Sequence, residues 1–114
     1  MGRLLQIRVS ASTYDEQAVS KAWPVLAKLA WGVDRVDGAA YGVLELCETI
    51  ADKARLHLLS DDAALALGKG PEEAEAIRRK LEQALAEWKA SEANRLSDDL
   101  EEALSELEKR VEKL

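Results

Sequence analysis

The sequence GAAYGVLELCETIADKARLHLL, residues 38–59, is the longest segment of the chain with an unbroken helical pattern of apolar residues. These residues recur at steps of three and four, as on one face of a helix with 3.6 residues per turn. Leu46, Leu56 and Leu59 lie beside that stripe and widen the apolar surface. We therefore predict a central helix over 38–59 that packs against at least two others, with Asp37 as its N-cap.

The composition of the 114-residue chain predicts a single, mainly α-helical domain. Apolar residues make up 47% and charged residues 33%, which is not the composition of a disordered chain. No apolar run approaches the ~20 residues of a membrane span, and the N-terminus lacks a signal-peptide pattern. One cysteine permits no internal disulfide. We expect residence in the cytoplasm and no membrane association.

The net charge of −6 lies entirely in the second half of the chain. Residues 1–60 carry seven basic and seven acidic side chains, whereas residues 61–114 carry nine basic and fifteen acidic ones. Because an acidic surface repels phosphate backbones, we expect no nucleic-acid partner.

Residues 4–11, LLQIRVSA, alternate apolar and polar side chains and predict one short N-terminal β-strand. A single strand leaves its backbone donors and acceptors unpaired. The short segment 33–36 is the internal candidate for pairing. The alternatives are pairing with the same strand of a second copy in a homodimer, or an N-terminal arm that lies along the helices.

The remaining patterns predict a small bundle of four to five helices. A capping box at Thr13 and Glu16 begins a helix over 14–32, which Pro24 kinks or divides at Trp23 and which Gly32 ends. A short helix over 61–67 follows Ser60. The apolar pattern then predicts helices over 71–92 and 97–114 that form an antiparallel hairpin, with one long helix as the alternative.

The one cysteine and the one histidine give little support for catalysis. Cys47 lies on the apolar stripe and is interpreted as a buried structural thiol. His57 is ten residues away, ~15 Å along the same helix, so the two side chains cannot pair there. A zinc site of the usual composition cannot be built from these residues in one subunit. We predict no catalytic residues, no metal site and no cofactor.

Four charged residues of the central helix are the first candidates for a binding site. Glu45, Glu48, Asp52 and Arg55 follow one another at steps of three and four and share one helix face. If that face is exposed, Asp52 and Arg55 form an ordinary surface ion pair. If it is buried, its carboxylates could bind a cation or acquire raised pKa values. The exposed, solvated face is the default expectation.

Three aromatic residues provide the second candidate site. Trp23 and Trp31 flank the Pro-kinked segment, and Tyr41 lies at the start of the central helix. Tryptophans near a kink can line a ligand pocket or anchor an interface, although they are more often part of the core. The sequence thus leaves two functions open: a protein-interaction module that acts as a homodimer and could bind another protein, or a small-molecule-binding domain or enzyme with a pocket between the Trp23–Trp31 segment and the central helix.

Overall fold

A computed structural model of the chain describes residues 16–32 and 41–114, and these residues are mainly helical. They form six helices, α1 (Glu16–Ala22), α2 (Pro24–Trp31), α3 (Val43–Arg55), α4 (Asp61–Leu67), α5 (Gly70–Ala86) and α6 (Ala90–Val111). The described residues contain no strand. The predicted strand 4–11, its pairing in a dimer, and the capping residues Thr13 and Asp37 lie outside the described residues.

The helix count differs from the predicted four to five because residue 23 divides the first helical segment. Trp23 has non-helical dihedral angles, and Pro24 at the start of α2 has no N–H to donate to Ser20. The Trp23 N–H still donates to the Val19 carbonyl at 2.9 Å. Two short helices therefore meet at residue 23. Gly32 ends α2 with a φ of 71°.

Helix α3 is shorter than the predicted helix over 38–59. It begins after Gly42, whose N–H donates to the Glu45 side chain at 3.0 Å. It ends at Arg55, and His57 then adopts a positive φ of 57°. Cys47 and Ile50 of the predicted stripe are buried, at 1% exposure each, and so is Leu46, which was predicted to lie beside the stripe; α2 and α5 pack against this side.

The C-terminal hairpin turns several residues earlier than the sequence predicted. Helix α5 ends at Ala86 and α6 begins at Ala90, so Ser97 lies within α6 and does not cap a helix. Ala93 and Leu96 are buried and continue the apolar stripe of Leu100, Leu104, Leu107 and Val111. Because α6 starts at residue 90, the whole stripe is buried in the hairpin with α5. A start at residue 97 would leave Ala93 and Leu96 out of the helical stripe.

The α5–α6 hairpin is the largest helix–helix contact and supports the other helices. Gly70, at the start of α5, lies against Leu107 near the end of α6, so the two helices are antiparallel; a Cβ at residue 70 would clash with Leu107 Cδ2. Helices α2 and α4 pack on α6, and α3 packs between α2 and α5. The core consists mainly of Leu, Ala and Val from all of these helices. No helix of the described residues is long and apolar enough to cross a membrane.

Candidate functional site: the charged cleft between α3 and α5

The charged face of the central helix is not buried, but part of it borders a cleft. Arg55 Nη2 lies 3.0 Å from Asp52 Oδ1, and these side chains are 71% and 51% exposed. Glu45 points elsewhere and accepts the Gly42 N–H. Glu48, Asp52 and Arg55 form one wall of a cleft of about 780 Å³, and the first half of α5 forms the opposite wall. The structure thus brings together three of the four predicted residues.

The opposite wall contains a network of ion pairs on α5 that the sequence analysis did not single out. Glu75 and Arg78 have side chains that are each 13% exposed, and Arg78 donates to Glu75 Oε1 from both Nε and Nη2. Arg78 Nη1 also donates to Glu82 at 2.9 Å, and Arg79 lies 3.4 Å from Glu75 Oε1. The hydrogen bonds that Arg78 donates to Glu75 raise the pKa of Arg78 above its usual range. This network fixes two arginines along the cleft wall.

The cleft is lined by equal numbers of acidic and basic residues, but they differ in how many are already paired within the protein. Its acidic residues are Glu48, Asp52, Glu72 and Glu75, and its basic residues are Arg55, Lys69, Arg78 and Arg79. The three arginines each have a carboxylate partner on their own helix. Among the described residues, no hydrogen bond or ion pair engages the side chains of Glu48, Glu72 or Lys69. The second oxygen of Glu75, Oε2, is buried and has no hydrogen-bond partner.

The aromatic candidates lie outside this cleft. Trp23 is 5% exposed and its Nε1 donates to Ser105 Oγ at 3.0 Å, so this side chain packs in the core and joins α6. Trp31 and Tyr41 contact each other edge to face, with ring centroids 5.0 Å apart. The structure therefore separates the two groups of predicted site residues.

Cys47 and His57 occupy environments of opposite kinds. Cys47 is buried, and burial raises the pKa of its thiol to about 12, with a further contribution from the nearby Glu75 carboxylate. A thiol with this pKa remains protonated and unreactive at neutral pH. His57 is exposed at the end of α3. Neither residue lines the cleft.

Cation binding was a possibility for the charged face only if that face were buried. Within residues 16–32 and 41–114, no group of three or more His, Cys, Asp or Glu side chains is placed to hold a metal ion. Glu45 accepts a backbone N–H and Asp52 pairs with Arg55, so neither carboxylate joins Glu48 in a ligand set.

A sequence signal for the α5 wall existed in the spacing of its charges. Glu75, Arg78 and Glu82 follow at steps of three and four, which is the spacing of helical ion pairs. Such pairs are usually solvated, and only the packing of α3 against α5 shows that this one is largely enclosed.

Comparisons with protein-family models, curated protein sequences and solved structures found no match.

Proposed function

We propose that the protein is an interaction module that assembles as a homodimer through the end of the molecule that carries α4. Four large apolar side chains at this end are more than half exposed: Leu56 at 55%, Leu58 at 65%, Leu65 at 85% and Leu114 at 66%. Exposed leucines that lie near one another are typical of surfaces that bind another protein. This leucine end, defined by these four residues, is the observation that carries the proposal.

Contacts within the fold support the grouping of these leucines. Leu56 and Leu58 directly follow α3, and Leu65 lies on the α4 helix that comes next. Arg110 Nη1 donates to the Leu67 carbonyl at 3.1 Å, which holds the end of α6, and with it the region of Leu114, beside α4.

A second copy of the chain suits this surface because the charges around it are self-complementary. Asp61 and Asp62 begin α4, whereas Arg55 precedes it and Lys69 follows it. In a two-fold symmetric contact, the same surface of both copies forms the interface, so if one residue contacts a second residue of the partner copy, that second residue contacts the first in return. The aspartates of one copy can then face the basic residues of its partner, while the leucines pack at the centre of the interface.

Sedimentation velocity across micromolar concentrations tests this proposal. We expect a dimer for the wild-type chain and a monomer for the double variant L58E/L65E, in which both substituted side chains are exposed and leave the core intact. The matched control S91E, at the opposite end of the hairpin, remains dimeric. A wild-type chain that sediments as a monomer throughout overturns the dimer, as does a double variant that dimerises as well as the control.

The second candidate function is that of a small-molecule-binding domain. The observation in its favour is the cleft of about 780 Å³, which lies within the size range of small-molecule pockets. Its location differs from the predicted one, since the cleft lies between α3 and α5 and contains neither Trp23 nor Trp31.

A further inference from the structure

The cleft between α3 and α5 opens beside the leucine end. Arg55 lines the cleft and directly precedes Leu56, and Lys69 lines it two residues after the end of α4. Two small apolar residues next to these basic residues in the sequence also line the cleft. This part of the cleft is its mouth, defined by Ala54, Arg55, Lys69 and Pro71. The mouth adjoins the surface at which two copies of the chain meet in the proposed homodimer.

Leu65 of α4 is the most exposed large apolar side chain in the part of the chain that the structure describes, at 85%. Ala63 and Leu67 lie two residues to either side of it and are each 1% exposed. Because these two residues face the core, Leu65 projects from the opposite side of α4. At this exposure Leu65 does not pack into the cleft of its own chain. Its burial requires a second molecule, and its apolar surface is a source of binding free energy for such a contact.

The unpaired charges of α4 and of the mouth have opposite signs. Asp61 and Asp62 precede Leu65 by four and three residues and therefore share its side of α4. Among the described residues, no ion pair or hydrogen bond engages the side chains of these aspartates or of Lys69. One side of α4 thus carries an apolar anchor and two anions, and the mouth offers an apolar wall and an unpaired cation.

The unpaired carboxylates of the cleft limit how far α4 of another copy can enter it. Glu72 directly follows Pro71, and Glu48 lies near Arg78, further along α5. Both would repel the aspartates of α4 beyond the mouth. The charges therefore favour a contact that is confined to the mouth.

We propose that the cleft mouth of each copy in the homodimer receives Leu65 of the other copy. Leu65 packs against Ala54 and Pro71, and the aspartates one turn earlier in α4 pair with Lys69. In a two-fold symmetric dimer each of these contacts forms twice. The inference rests on the proposed homodimer and adds the site that receives its most exposed leucine.

The reactivity of a cysteine at position 54 tests whether a second copy covers the mouth. Alkylation of Ala54→Cys by iodoacetamide should be about tenfold or more slower in the dimer than in the monomeric variant A54C/L58E/L65E. The control S91C, at an exposed position at the opposite end of the hairpin, should react equally fast with and without L58E/L65E. Cys47 is buried in all of these proteins and does not contribute.

The outcomes of this measurement separate the inference from the homodimer itself. Equal alkylation rates at position 54 in the dimer and the monomer overturn the inference while the homodimer stands. The mouth is then open if both rates are fast, and covered by its own chain if both are slow. A wild-type chain that sediments as a monomer throughout overturns both proposals.

Disulfide formation tests whether Leu65 is the side chain that covers the mouth. Under mild oxidation, A54C mixed with L65C should form an intermolecular disulfide about tenfold faster than A54C mixed with S91C, because side chains in contact bring their Cβ atoms within disulfide range. Protection of position 54 without this cross-link overturns Leu65 as the occupant. A cross-link mainly between two L65C chains also overturns it, since the leucines then meet at the symmetry axis.

Discussion

At the scale of single residues, Cys47 shows how burial removes reactivity. Its side chain is 1% exposed between α3 and its neighbours, and the thiolate would lie in an apolar environment close to the Glu75 carboxylate. Both effects disfavour the charged form, and burial is the larger. The nearby Arg78 opposes them, but it is already held by Glu75. The same residue type at an exposed, electropositive position would be a nucleophile.

Cys47 should make the stability of the fold decrease in alkaline solution. The thiol pKa is 9.0 for an unperturbed cysteine and about 12 in the fold, so above pH 9 the unfolded chain loses a proton that the folded chain retains. The contribution of the protonated Cys47 thiol to the free energy of unfolding is therefore fully present below pH 9 and is lost as the pH rises toward 12. The stability difference between wild type and Cys47→Ala should change by about 2 kcal/mol between pH 8 and 10.5, in favour of the variant. Urea unfolding of both proteins measures this; a difference that is constant with pH contradicts it.

At the scale of helices, two helix ends have residues other than glycine in the left-handed conformation. His57 and Trp88 have φ values of 57° and 60°. The N–H groups of Leu58 and Lys89, which follow them, donate to Lys53 and Ala84 at 2.8 and 2.9 Å. This is the hydrogen-bond pattern of the Schellman motif, which glycine usually completes because it has no Cβ.

Replacement of His57 should therefore reveal backbone strain. We expect His57→Gly to stabilise the fold by roughly 0.5–1 kcal/mol, since the relief of left-handed strain exceeds the added entropy of the unfolded chain. The control His57→Val should destabilise it, because a β-branched residue fits poorly at positive φ. Both substitutions remove an exposed imidazole, so core packing is unchanged. Thermal unfolding gives the two signs, and equal effects of both substitutions would rule out strain as the cause.

These same helix ends explain how far the sequence could predict the elements. Ser60 and Pro71 predicted the starts of α4 and α5 because a capping side chain and a fixed φ act locally; Ser60 Oγ accepts the Ala63 N–H at 3.2 Å. The end of α5 was missed because Trp88 takes a conformation for which its residue type gives no signal. Without a signal for that turn, the sequence-based prediction placed the break at residues 93–96, where the apolar pattern is interrupted by Asn94 and Arg95.

The candidate site was predictable to a similar extent. Helical spacing placed Glu48, Asp52 and Arg55 on one face, and the structure keeps them together. The α5 wall depends on which two helices pack together, and no local pattern determines that. Helical spacing therefore identifies one wall of the cleft, whereas Glu75 and Arg78 become candidates only in the folded chain.

At the scale of the whole molecule, the first and last parts of the chain are joined by a buried carboxylate. Glu108 of α6 is 5% exposed and accepts the N–H groups of Val25 and Leu26 at 3.2 and 2.9 Å. These are among the first N–H groups of α2, which Trp23 cannot cap with its own side chain. Glu108 thus acts as the N-cap of a helix more than 80 residues away. Its place on the apolar stripe, four residues after Leu104, was a sequence signal that it is buried.

Removal of this carboxylate should loosen α2 before it affects the hairpin. Glu108→Ala leaves one buried and one partly buried N–H group without an acceptor and should cost about 2–3 kcal/mol. Glu108→Gln keeps one carbonyl oxygen as an acceptor and should cost less. The control Glu106→Gln alters an exposed neighbour, whose contact with Arg110 at 3.8 Å should contribute little.

Native-state hydrogen exchange locates the effect of Glu108. The fold predicts that Glu108→Ala increases exchange in α2 while the amides of α5 and α6 remain protected, because α6 packs far more extensively against α5 than against α2. Uniform acceleration across all helices would instead mean that α2 unfolds only together with the hairpin. In that case the buried carboxylate stabilises one cooperative unit, and α2 is as integral to the core as α5.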